Sequence, residues 1–208
     1  MKRRTLDLVF SVGGLLLAGL LLVLGLVLQN QADFAKSYVK DQLSQQKISF
    51  TPVVALKPNE KAACLVKWAG QPMTTGKQAE CYANRYIGLH VTEINKGLTY
   101  AQTSTASRAL TAKAEAAAAT APNAPATKAL QAQADALQGQ TTALFQGETL
   151  RGLLLTSYGF SIFGERAGQA ALVAFLVAAV LFLASIAGFV HAFTTSKDEV
   201  VLNGPSAS

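Results

Sequence analysis

Apolar residues gather into two uninterrupted runs, Leu8–Leu28 and Ala170–Phe193, with a mixed stretch of about 140 residues between them. Each run has about the 20 residues that carry a helix across a bilayer, and neither contains Asp, Glu, Lys or Arg. Hydrocarbon forces a backbone to satisfy its own hydrogen bonds, so two isolated spans read as helices. The pattern predicts an all-α membrane protein that crosses the bilayer twice. Its segments are a cytoplasmic N-terminus over 1–7, a first span over 8–28, an extracytoplasmic helical domain over 29–168, a second span over 169–193 and a cytoplasmic tail over 194–208.

The alternative for the first run is a cleavable signal peptide. Met1-Lys2-Arg3-Arg4 is a suitable basic leader, but the apolar stretch exceeds the 7–15 residues of a signal core. No small-x-small cleavage pattern follows at Gln29-Asn30-Gln31-Ala32-Asp33, and a retained anchor is expected. Lys2, Arg3 and Arg4 place the N-terminus in the cytoplasm, and a second crossing returns Lys197, Asp198 and Glu199 there. Lys36, Lys40, Arg151 and Arg166 flank the opposite side and pull the other way. Long translocated domains largely escape the charge rule, so the leader decides.

Between the runs the punctuation is helical. Ala35, Val39 and Leu43 recur at four-residue steps, which continues the first span outward over Asp33–Gln46. Ile48-Ser49-Phe50-Thr51-Pro52 breaks that helix and holds the only strand signal. Asn59 is expected to cap a short helix through Ala69, stopped by Gly70. Thr75-Gly76-Lys77-Gln78 has capping-box spacing. The helix it opens places Ala79, Tyr82, Ala83, Tyr86, Ile87, His90, Val91 and Ile94 on one face and stops at Asn95-Lys96-Gly97. Thr99 caps another helix, which runs into the Ala-rich stretch, and Pro122 and Pro125 impose a turn. Ala112–Thr127 reads as a solvated helix end and a flexible turn. Ala126–Gly139 and Thr141–Phe163 are helical by composition and lead into the second span, which completes a small antiparallel bundle of four or five helices.

Charge alters this picture little. The net charge is +6 and the pI about 9.4. The middle domain carries 14 basic and 9 acidic residues, thinly spread and without interleaved aromatics, so nucleic acid is not expected and anionic lipid or an acidic partner suits the sign better. Cys64 and Cys81 both fall in the middle domain. They are expected to form one disulfide in an oxidising compartment, closing a loop of about 18 residues for about 3 kcal/mol; two unrelated buried thiols are the alternative. Zinc wants clustered Cys and His, and neither CxxC nor CxxCH spacing is present. His90 reads as a satisfied core histidine. His191, near the end of the second span, is an ionisable group within reach of headgroups or water. Trp68 reads as packing beside Cys64. With no nucleophile–base pair, phosphate loop or HExxH pattern, no catalytic, cofactor-binding or metal-binding residue is assigned and no enzyme is expected.

The spans carry the strongest pattern. Advancing 100° per residue, Ser11, Gly14, Ala18 and Gly25 fall within about 60° of one another on the first helix. Ala167, Ala170, Ala174, Ala178, Ser185, Gly188 and Ala192 fall within about 80° on the second. Small residues let helix backbones approach where lipid removes the hydrophobic effect, so both stripes are expected to be contact faces, against each other or against another subunit.

At Gly76-Lys77-Gln78-Ala79-Glu80, Tyr86-Ile87-Gly88-Leu89-His90 and Gln146-Gly147-Glu148-Thr149-Leu150-Arg151-Gly152-Leu153-Leu154-Leu155, the chain resembles a group of actinobacterial two-pass membrane proteins. That resemblance implies an anchor, an extracytoplasmic helical region and a second span, with no defined activity. The aromatic ring-opening dioxygenase label attached to some such sequences needs an iron site of clustered His and carboxylate ligands, and His90 and His191 fall in different compartments. The expected role is a non-catalytic accessory or structural subunit docking on a larger respiratory or cell-envelope membrane complex. Its expected partners are membrane lipids and an integral membrane protein or a second copy of the chain. The alternative is an extracytoplasmic sensor or ligand-binding module. A tail of about 15 residues leaves a sensor's output to a partner.

Overall fold

The computed structural model describes residues 3–194. Lys2 of the leader and Lys197, Asp198 and Glu199 of the tail lie outside the described residues. Six α-helices follow in order: α1 (Arg3–Gln45), α2 (Ala63–Lys67), α3 (Gly76–Cys81), α4 (Gly88–Glu93), α5 (Tyr100–Thr120) and α6 (Pro125–Thr194). A π-helical segment, Tyr82–Ile87, joins α3 to α4, and short 3-10 turns lie at Val53–Ala55, Pro58–Glu60 and Ile94–Gly97. No strand occurs among the described residues; Ser49 and Pro72 form one isolated antiparallel bridge. By packing, the chain divides into residues 37–162 and a second unit of 1–36 with 163–208.

The first unit, 37–162, is built from capped helices around an apolar core. Lys47 ends α1 at a φ of 52°, and the chain then runs extended beside Gly70–Met73, with Phe50 N–H donating to Gln71 O at 2.9 Å and Met73 N–H to Ile48 O at 2.8 Å. The capping boxes form as expected: Thr75 Oγ1 accepts from Gln78 N–H, and Thr99 Oγ1 from Gln102 N–H. Val39, Leu43, Phe50, Leu65, Met73 and Leu144 are buried together at the centre. At 25 cal/mol per Å2, full burial of each such side chain contributes about 1.5–3 kcal/mol.

One expectation fails here. Asn59 caps no helix; Pro58–Glu60 is a 3-10 turn, and the Asn59 amide donates to Glu93 at 2.9 Å. The Ala-rich stretch is a largely exposed helix end followed by a turn, as its composition suggests, with two buried residues in it. α5 continues to Thr120, α6 begins at Pro125, and both Ala114 and Thr127 are buried. α5 and the start of α6 pair through small side chains, with Thr103, Ser107 and Ala114 on one helix and Thr127, Ala134 and Thr141 on the other buried. Ser107 Oγ donates to Gln138 at 2.9 Å within this hairpin.

The second unit holds two helices, each long and apolar enough to cross a membrane, and they run antiparallel against each other. Ser11 meets Gly188, Gly14 meets Ser185, Gly25 meets Phe175 and Ala35 meets Gly164, so numbers rise along one helix as they fall along the other. A Cβ at Gly14, Gly25, Gly164 or Gly188 would overlap its opposite side chain, so these positions set how closely the backbones approach.

Candidate functional site

The buried polar chemistry of residues 37–162 centres on Glu60, which is 3% exposed. The Pro58 turn returns its carboxylate to the chain: Lys57 N–H donates to Oε2 at 2.9 Å, and Lys57 Nζ stands 3.7 Å from Oε1. The second clamp comes from His90, whose Nε2 lies 2.9 Å from Oε1. The Lys57 amide, with smaller help from His90 and the Lys57 charge, holds the Glu60 carboxyl below its ordinary value of 4.5 against the opposing effect of burial. Geometry weighs more than charge here, because the carboxylate is enclosed while the Lys57 ammonium is open to water.

His90 ends a row of rings. It stands edge-on to Tyr86 at 4.5 Å; Tyr86 lies 4.8 Å from Tyr82; Tyr82 is edge-on to Phe50 at 5.4 Å; and Phe50 lies 5.9 Å from Trp68. Tyr82, Tyr86 and His90 follow at four-residue steps, which is how one helix offers a continuous ring face. Burial, reinforced by Tyr86, raises the Tyr82 phenol above its usual value. His90 is thus held by a carboxylate and a ring, and it fastens the Pro58–Glu60 turn to α4. Cys64 and Cys81 are bonded across a Cα–Cα distance of 6.1 Å and tie α2 to the end of α3 behind this row.

A groove of about 510 Å3 opens in the same unit, between the end of α1 and α6. Val39, Leu43, Leu150, Leu153, Leu154 and Phe160 form its apolar wall. Thr156 and Ser157 also line it, but each hydroxyl donates to its own helix carbonyl, at 3.0 and 3.1 Å. The amides of Gln42 and Gln46 and the phenol of Tyr38 are the other polar groups along it.

In the paired apolar helices the small-residue faces meet each other. Ser11, Ala18, Gly25, Ala174, Ala178 and Ser185 are buried, and Gly14 and Gly188 are half-buried. Ala170 departs from the expected stripe: it is exposed, and Ala171 is the fully buried residue beside it. Gly164 and Ala35 extend the contact beyond the apolar runs. His191 also has a partner that its position near the end of the second run did not announce, with Nδ1 at 2.9 Å from Asp7 Oδ2.

Sequence reasoning missed Glu60, Ala171 and the Asp7 partnership. Only the Lys57-Pro58-Asn59-Glu60 spacing, a carboxylate three residues after an extended residue before proline, signalled any of them. Among the described residues, no three of His, Cys, Asp and Glu converge as a metal-ligand group. No family model, curated protein or solved structure matches the chain, so its role is read from its own residues.

Proposed function

We propose that this chain is an integral membrane protein whose two spans carry a disulfide-bonded extracytoplasmic helical domain, and that it serves as a non-catalytic accessory or structural subunit of a larger membrane complex. One observation carries the membrane reading. The most apolar windows of α1 and α6 are only 17% and 22% buried, with Leu16, Leu20, Val180 and Leu183 each more than 60% exposed. The core helix of a water-soluble protein would bury such a face, and a contiguous apolar surface of this kind calls for lipid or protein cover. The disulfide supports an oxidising compartment for residues 37–162, and Arg3 and Arg4 support a cytoplasmic N-terminus. The actinobacterial two-pass group has the same order of elements, and membership of it is part of this proposal.

The accessory role must use other surfaces than the stripes, because the chain's own helices fill them. Lipid-facing side chains of the spans and the outer domain remain for docking. A second reading, a sensor or ligand-binding module that signals through a partner, draws on the 510 Å3 groove.

Membrane-impermeant thiol reagents on intact cells test the topology. Labelling of Cys64 and Cys81 is expected only after an impermeant reductant is added, whereas labelling that needs lysis would overturn the orientation. Mild-detergent purification tests the role. A stoichiometric membrane partner is expected, and a chain that always purifies alone moves the role to the second reading.

A further inference from the structure

The groove between the end of α1 and α6 is a long slot with no charge in its walls. Tyr38–Gln46 forms one side, about 12 Å of helix, and Leu150–Phe160 the other, about 15 Å. The sides are drawn together at one end, where the Tyr38 and Phe160 rings stand edge-on at 5.6 Å. At the far end α1 stops at Gln45, and Gln46 and Ile48 complete the lining. Leu153, 62% exposed, and Leu150, 39% exposed, stand in this slot rather than in the core.

The dimensions of the slot select what can enter. About 510 Å3 spread over that length leaves a section of about 40 Å2. A helix, about 10–12 Å across with its side chains, would rest on the rim, whereas one hydrocarbon chain fits between the walls. The charge of the lining selects the head group. No Asp, Glu, Lys or Arg lines the slot. Lys40, Asp41 and Lys47 adjoin it in sequence without lining it, and Arg151 is taken by Asn84 and Glu148. A carboxylate or phosphate in the slot would leave water with nothing opposite it. The Gln42 and Gln46 amides stand one turn apart at the end of α1, and neither has a hydrogen-bond partner among the described residues. Each offers N–H donors and a carbonyl acceptor, the complement of hydroxyl groups.

We propose that this groove binds an uncharged single-chain amphiphile with a hydroxyl head, of the monoacylglycerol class. The hydrocarbon lies against Leu150, Leu153 and Leu154 with its tip towards the Tyr38 and Phe160 rings, and the hydroxyls exchange hydrogen bonds with Gln42 and Gln46. Apolar walls with a few placed polar groups, enclosing a volume of this size, are the usual build of a small-ligand site. The assignment rests on the ligand-binding reading of the groove and adds to it the class of ligand.

The test uses the full chain in phosphatidylcholine nanodiscs, which keep detergent out of the groove, and a monoacylglycerol with a diazirine at the end of its chain. After photolysis and peptide mapping, cross-links are expected on residues 38–48 and 150–160, and unlabelled monoacylglycerol should suppress them. An ionised fatty acid with the same chain and diazirine should label those segments about tenfold less, because its carboxylate finds no cation there. Leu153→Arg, at an exposed wall position, should lower the monoacylglycerol labelling by a similar factor. Gln42→Leu with Gln46→Leu should remove the preference over the fatty acid. Labelling confined to the apolar runs overturns the proposal, as does groove labelling that Leu153→Arg leaves unchanged or a preference that survives loss of both amides. Equal groove labelling of the wild type by the fatty acid overturns the head-group assignment and leaves the ligand-binding reading standing. No suppressible groove labelling by either probe overturns both. Should a variant not fold, the wild-type competition and the comparison of the two probes decide.

Discussion

The two packing units of this chain solve the same problem, holding helices together, with opposite materials. Residues 37–162 bury large side chains around Leu65, Met73 and Leu144, stack a row of aromatic rings, cap their helices with Thr75 and Thr99, and add a covalent tie. The paired apolar helices bury almost nothing large. Their contact is mostly Ser, Gly and Ala, with the Phe175 ring set against Gly25, and most of their bulky residues are exposed. The first pattern follows from water, where removing apolar area is the driving force. The second follows when the surroundings are as apolar as leucine and only close backbone approach distinguishes a helix neighbour from solvent. On the proposed membrane reading, the two kinds of interface suit two solvents.

Perturbing each interface by its own material sharpens that contrast. The largest effect is expected from Cys64→Ser with Cys81→Ser, a loss of about 3 kcal/mol for a loop of this length. Thermal unfolding followed by the tyrosines and Trp68 should move down sharply, while the helical signal of the apolar pair in detergent holds. Equal loss from both would mean that the two interfaces are not independent. Next comes overpacking: Ala174→Leu or Ala178→Leu should weaken the paired helices by about 1–3 kcal/mol. Leu176→Ala, at a side chain 59% exposed, should do little to that pair. The readout is the compact two-helix fraction after detergent extraction, and identical behaviour of all three would reduce the small-residue face to a matter of composition. Thr75→Ala removes a helix cap and should cost about 1 kcal/mol, read as a lower urea midpoint for the domain alone.

The smallest effect is pH-dependent. Because Glu60 titrates below 4.5 when folded, the stability it contributes is present above that value and is lost as pH falls through the lowered one. The gap between wild type and Glu60→Gln should be widest above pH 4.5 and should narrow on acidification. A gap constant from pH 7 to pH 3 would assign the effect to shape rather than charge. Conversely, the raised Tyr82 phenol adds stability that is lost as pH rises through its titration, so Tyr82→Phe should blunt the alkaline limb.

What was legible in the chain was local. The capping boxes at Thr75 and Thr99 are written within four residues and hold, and the long α6 shows in an apolar and alanine-rich run without a stop signal. The Asn59 cap failed for a reason that is also local, since Pro58 favours a tight 3-10 turn and the Glu60 carboxylate takes the Lys57 amide. The remaining misses are long-range. Glu60 meets His90 across 30 positions and Asp7 meets His191 across 184, and no periodicity encodes either pairing. The stripe on α6 was placed by angular arithmetic alone, and that chose Ala170 over Ala171. The choice depends on how the neighbouring helix is turned, seen where Gly164 meets Ala35 and Gly168 meets Ala32, which a single helix cannot reveal.

The π-helical segment Tyr82–Ile87 has a consequence for how this chain tolerates length change. A π turn holds about one residue more than an α turn, so it reads as an insertion absorbed inside a helix. Deleting Arg85, whose side chain is exposed, would let the segment relax to α geometry and rotate everything after it by about 100°. α4 could remain a helix, yet His90 would turn away from Glu60, and Val91 would leave the core and the close approach it makes to Gly147. The segment therefore acts as a phase-setting spacer, in which residue count rather than residue identity keeps the two halves of one helix in register with different neighbours.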